Sequence, residues 1–139
     1  MRITVSLILL LSLAPFCLQG QELSRKEASK AKVKSVSVFE TNVSDKKAKP
    51  ILESMNRYDE SGNLLEILEK DKNGVVTLHE SYEYNSEGQK SVEIQYEPDG
   101  KIKKKNVFKY SDGLRSERQT FDKNGALISQ RKYVYEFNK

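Results

Sequence analysis

From residue 75 onward, apolar and polar residues alternate in runs of seven to ten, and each run ends in a short polar stretch closed by glycine. VVTLHESYEY (75–84), KSVEIQYE (90–97) and KIKKKNVFKY (101–110) have a period of two, the spacing of a strand rather than a helix. The closing stretches are DESGN (59–63), DKNG (71–74), NSEG (85–88), EPDG (97–100), SDG (111–113) and DKNG (122–125). Glycine takes positive φ freely. Asp and Asn tolerate it and bond their own backbone, so these are hairpin turns. Strands are expected near 33–43, 50–58, 64–70, 75–84, 89–96, 101–110, 114–121 and 126–137, with antiparallel neighbours in sequence order.

The pattern recurs. Tyr58, Tyr84 and Tyr110 are 26 residues apart and Tyr135 follows at 25, while Gly62, Gly88 and Gly113 keep nearly the same step, as do Gly74, Gly100 and Gly125. A fixed period of this length marks a repeat array. The expected fold is all-β: an antiparallel meander of about eight strands, built from four double-hairpin repeats of about 26 residues, forming a twisted or curled sheet. Asp45-Lys46-Lys47-Ala48 precedes Asp71-Lys72-Asn73-Gly74 by 26, with alanine in the glycine position, so the first unit is degenerate.

Simple alternation predicts one apolar face. Val76, Leu78, Tyr82 and Tyr84 share a parity, as do Val92, Ile94 and Tyr96, then Ile102, Phe108 and Tyr110, then Leu127, Tyr133, Tyr135 and Phe137. The other face would carry Thr77, His79, Glu83, Glu93, Gln95, Lys101, Lys103, Lys105 and Lys109. The aromatic face supplies the candidate ligand residues: Tyr58, Tyr82, Tyr84, Tyr96, Tyr110, Tyr133 and Tyr135. They are read either as core or as a stacking surface for sugar or peptide. By position in the array, Tyr84 and Tyr110 should matter more to stability than Tyr58 and Tyr135.

With YDESGNL (58–64), YNSEGQ (84–89) and FDKNGAL (121–127), the chain resembles the YD repeats of the RHS family and related MORN-like exported repeats of bacteria. The family pattern is Tyr-Asp, two variable residues, Gly, a polar residue and Leu, then a second glycine turn. The resemblance spans roughly residues 45–137. It implies a β-hairpin array, which in large toxins forms a shell around a cargo. Here there are about four units and no toxin or cleavage domain, and no family site residues carry over.

The start of the chain reads differently. Arg2 precedes an apolar run, Ile3–Leu13, too short for a spanning helix but suited to a secretory signal, with cleavage expected after Gly20. The alternative is a lipoprotein signal ending at Cys17, although Phe16 stands where a small residue is usual. Residues 1–20 are thus expected to be a signal peptide, 21–32 a polar linker or loose helix, and 33–139 the repeat domain. The destination is secretion, the periplasm or the cell envelope, with no membrane span after processing. Residues 21–139 contain no cysteine, so disulfides cannot hold the domain. Val, Ile, Leu and Phe account for 26 of those 119 residues, which leaves the core thin.

Catalytic equipment is sparse. His79 is the one histidine, and a metal site or general base needs partners, so it reads as a surface strand residue. Asp59, Asp71, Asp99 and Asp122 recur in the loops, where turn chemistry explains them better than calcium. Lys101, Lys103, Lys105 and Lys109 are expected to point away from Phe108 and Tyr110, whereas a nucleic-acid site would put basic and aromatic groups on one face. The expectation is a non-enzyme without cofactor or metal, and without nucleic acid among its partners. Its partners would be a protein, or alternatively a glycan, at the envelope. Copies could associate through the apolar face or the sheet edges.

Overall fold

A computed structural model describes residues 23–138, so the expected signal peptide, its cleavage site and Cys17 lie outside the described residues. The chain forms helix α1 (Arg25–Lys30) and strands β1 (Ser35–Glu40), β2 (Ile51–Tyr58), β3 (Leu64–Lys70), β4 (Val76–Tyr84), β5 (Lys90–Tyr96), β6 (Ile102–Ser111), β7 (Leu114–Asp122) and β8 (Leu127–Lys132). The eight strands pair antiparallel in sequence order as one open sheet, so the expected all-β meander is the observed fold.

The turns explain the order. At β2–β3, Gly62 N–H donates to the Asp59 carbonyl and Asp59 N–H to the Asn63 carbonyl. Gly62 has φ +79°. That is a type I turn followed by a left-handed residue, the usual three-residue hairpin loop. The same pair of bonds closes the loops at Asp71, Asn85, Glu97 and Asp122. Among the six glycine turns only β6–β7 differs: Asp112 and Gly113 both have positive φ, between the paired residues Ser111 and Leu114, which makes a two-residue turn. Asp112 adopts this region because its short polar side chain tolerates it. The degenerate turn is half formed. Ala48 N–H donates to the Asp45 carbonyl as Gly74 does to Asp71, but Ala48 lacks positive φ, and residues 41–50 stay outside the ladder.

Each hairpin carries a register shift just after its turn: Arg57 faces Glu66 but Tyr58 faces Leu64, and Gln95 faces Lys104 but Tyr96 faces Ile102. One residue is left over each time, a β-bulge, at Glu53, Leu65, Thr77, Ser91, Lys103, Ser116 and Ile128. A slip of one residue reverses the facing of whatever precedes it. This corrects the expectation of one apolar and one charged face. Cross-strand partners share a face. Following the partners places Tyr58, Tyr82, Tyr84, Phe108, Tyr110, Tyr133 and Tyr135 on one side. Val76, Val92, Ile94, Tyr96, Ile102 and Leu127 lie on the other, with His79. The sheet is a single layer with apolar groups on both sides. Among the described residues, the buried apolar side chains are Ala28, Tyr58, Tyr82 and Phe108.

Helix α1 falls within the segment expected to be a polar linker or loose helix. Ser24 caps it: its hydroxyl accepts from Glu27 N–H, and Glu27 reaches back to Ser24 N–H. The helix backbone lies against the Gly62 turn, where Ala28 is buried. Arg25 Nε donates to the Ser61 carbonyl at 3.3 Å, and its guanidinium extends to the Gly88 turn.

Candidate functional site

The tyrosine face is built along one rim of the sheet. Tyr84, at the end of β4, donates its hydroxyl to the Leu64 carbonyl at 2.7 Å. Tyr110 does the same to Lys90 at 2.7 Å, and Tyr135 to Arg115 at 2.8 Å. Each ring therefore bridges back across the start of the preceding odd-numbered strand. Tyr58 differs because α1 stands before it: its hydroxyl accepts from Leu23 N–H at 3.3 Å. The expected row of Tyr58, Tyr84, Tyr110 and Tyr135 is present, and its hydroxyls are bound to backbone.

Inside this rim a polar ladder crosses four strands. Tyr82 donates to Glu80 at 2.6 Å, and Gln95 donates to the other oxygen of Glu80 at 2.7 Å. Asn106 Nδ2 donates to Glu93 at 2.9 Å, and Thr120 donates to Asn106 Oδ1 at 2.8 Å. Asn106 and Thr120 are buried, and these bonds satisfy them. Cations cover the rings: Lys90 Nζ is 3.9 Å from the Tyr82 centroid, and the Arg115 guanidinium is 4.3 Å from that of Phe108. Burial disfavours the Arg115 charge, but the Tyr110 and Tyr133 hydroxyls beside it more than compensate and raise its pKa.

Six of the seven candidate tyrosines thus share a face. Tyr96 lies on the other, in a network that sequence reasoning missed. Its ring stacks on His79 at 4.4 Å, and its hydroxyl shares a hydrogen bond with Ser81 at 2.9 Å. His79 Nε2 lies 2.8 Å from Glu66 Oε1, and Arg57 Nε lies 2.8 Å from Glu66 Oε2. His79 is therefore half-buried and partnered, not an isolated surface residue. The DKNG turn at 71–74 held the signal, because folding the chain back there sets Glu66 diagonally across from His79.

Among the described residues no three of His, Cys, Asp or Glu gather as metal ligands. The loop carboxylates serve the turns. Asp71 Oδ1 accepts from Asn73 and Val75 N–H, and Asp122 Oδ1 from Asn124 and Ala126 N–H. Lys109 pairs with Glu117 on the side away from Phe108 and Tyr110. No helix of the described residues is long and apolar enough to cross a membrane. No protein-family model and no curated protein sequence matches this chain.

Proposed function

We propose that this chain is an exported, non-catalytic repeat module of the cell envelope whose role is protein–protein interaction. The observation that carries the reading is the single layer: among the described residues, neither face of the eight-stranded sheet is covered by a second sheet. At usual strand spacings the sheet is about 34 Å wide and its strands about 25 Å long. Each face is then about 850 Å², close to what one partner contributes to a standard interface. Tyrosine and arginine, concentrated on one face, are the residue types enriched in such interfaces. The apolar run Ile3–Leu13 supports export. Carbohydrate binding by the same tyrosines is disfavoured, because the hydroxyls of Tyr84, Tyr110 and Tyr135 are already donated to backbone and Lys90 covers the Tyr82 ring.

Photo-crosslinking groups at Tyr135 and Lys109, one on each side of the sheet, test this in envelope extracts. A discrete protein adduct from either position is expected. Glycan-array binding without any protein adduct would overturn the reading. Leu9→Arg, which puts a charge inside the apolar run, should block secretion; unchanged export of that variant removes the export element.

A further inference from the structure

The sheet does not close, so β8 leaves a row of backbone groups without a neighbouring strand. Proteins usually protect such an edge with short strands, charge or proline. Here every residue of β8 is exposed, and the edge and the segment after it present Leu127, Ile128, Val134, Tyr135 and Phe137 to solvent. Val134 is 90% exposed.

The backbone phase of this edge is fixed. Tyr133 N–H donates to the Ser116 carbonyl, inward to β7. β8 itself ends at Lys132. Carried on as an extended strand past that point, consecutive residues turn their amides to alternate sides, so Val134 and Glu136 would present theirs outward with Lys132.

We propose that this edge pairs with the same edge of a second copy, antiparallel, about a two-fold axis at Val134. The sequence is self-complementary about that residue. Val134 meets Val134 of the other copy in a hydrogen-bonded pair. Lys132 then meets Glu136 and Glu136 meets Lys132, two opposite-charge pairs at the next hydrogen-bonded positions. Tyr133 meets Tyr135 twice in the closer, non-hydrogen-bonded positions, and Arg131 meets Phe137 as cation over ring. Lys132, Glu136, Arg131 and Phe137 are all exposed and available. The axis falls at an outward-facing residue, as the two-fold requires. The shared edge brings Tyr133 and Tyr135 of both copies to one face of a continuous sheet. An isologous contact of this kind closes on itself and stops at two copies. It stands on the edge alone and does not need the interaction role proposed above.

Sedimentation of the purified chain over a range of concentrations tests it, with circular dichroism to confirm that each variant folds. The parent should pass from monomer to dimer. Val134→Pro removes the amide at the axis and should be monomeric. Lys132→Glu and Glu136→Lys should each be monomeric alone, because each sets like charges opposite. Mixed in equal amounts they should form a heterodimer, and the double variant should dimerise with itself. A parent that stays monomeric would overturn the proposal. So would a dimer that survives Val134→Pro, or no recovery on mixing. Growth beyond two copies would also overturn it, since that places β8 against β1 of the next copy.

Discussion

Tyr110 spans two strands to give its hydroxyl to the Lys90 carbonyl, and Tyr84 repeats the contact on Leu64, with 20 residues between partners in both cases. Lys90 and Leu64 each open the strand after a three-residue loop. The tyrosine thereby adds a side-chain tie at the rim between two strands that the backbone ladder already pairs. Tyr84→Phe should cost about 1 kcal/mol, the net worth of one hydrogen bond. Tyr84→Ala should cost about 3 kcal/mol, because the ring's contacts go as well. Tyr58 is the deepest of the row at 4% exposure, and Leu23, in the segment leading into α1, donates its N–H to the Tyr58 hydroxyl. Tyr58→Ala should therefore lower the melting temperature at least as far as Tyr84→Ala, the reverse of the ranking expected from position in the array. Melts of Tyr58→Ala, Tyr84→Ala, Tyr84→Phe and Tyr135→Ala measure the order, with Tyr135→Ala the mildest of the alanine variants.

The two glycine turns at Gly62 and Gly100 have nearly the same φ, +79° and +83°, but different surroundings. A Cβ at Gly100 meets nothing within 4 Å. Gly100→Ala should cost about 1 kcal/mol, from the backbone region alone. A Cβ at Gly62 would collide with the Arg25 carbonyl oxygen and lie 2.8 Å from Ser29 N. Gly62→Ala should cost clearly more, and it should free the amides of Ala28, Ala31 and Val33 to exchange as α1 lifts away. Equal melting temperatures for the two variants would mean that the helix is not seated on this turn.

Much of this architecture was legible in the sequence. The eight strands lie close to their expected positions because glycine and Asx residues at the turns have a local mechanism that needs no tertiary context. The bulges were not legible. An extra residue such as Thr77 or Lys103 leaves composition and strand length unchanged, yet it sends Val76 and Ile102 to the opposite side from Tyr82 and Phe108. The Glu66–His79–Tyr96 network was hidden for a related reason, since it depends on the registers of two neighbouring hairpins at once. At the end of the chain, strand pairing stops at Lys132 instead of continuing to 137, although Tyr133 and Tyr135 remain attached to β7.

Asp59 links the helix to the turns and predicts a pH dependence. Partial burial pushes its pKa up, but the Asn63 side-chain amide, the Asn63 and Ser61 backbone amides and the Arg25 charge outweigh this and hold it below the ordinary 3.8. A carboxylate with a lowered folded pKa contributes stability that is present above its unfolded pKa and is lost as pH falls through the folded value. Part of the acid destabilisation below pH 3.8 should therefore be traceable to Asp59. Asp59→Asn should flatten the melting-temperature profile in that range while lowering it near neutrality. A variant with the parent's acid profile would show that the carboxylate charge does not matter to this turn.

Asn106 and Thr120 should be strongly coupled. Asn106 is 5% exposed and spends its amide on Glu93 and its oxygen on Thr120, which is itself 7% exposed. Thr120→Val keeps the shape but leaves the Asn106 oxygen unpaired. It should cost about 1–3 kcal/mol, the penalty for a buried polar group without a partner. Asn106→Leu leaves both the Thr120 hydroxyl and a Glu93 oxygen without that partner, and should cost more. In the double variant the Thr120–Asn106 pair disappears together, so the second substitution adds less than it does alone. Denaturant unfolding of the four proteins gives the interaction energy directly, expected at about 1 kcal/mol or more for groups in one network. Strict additivity would show that the two side chains act independently. The ladder across β4 to β7 would then be a set of separate surface contacts rather than the polar core of a sheet that has little apolar core.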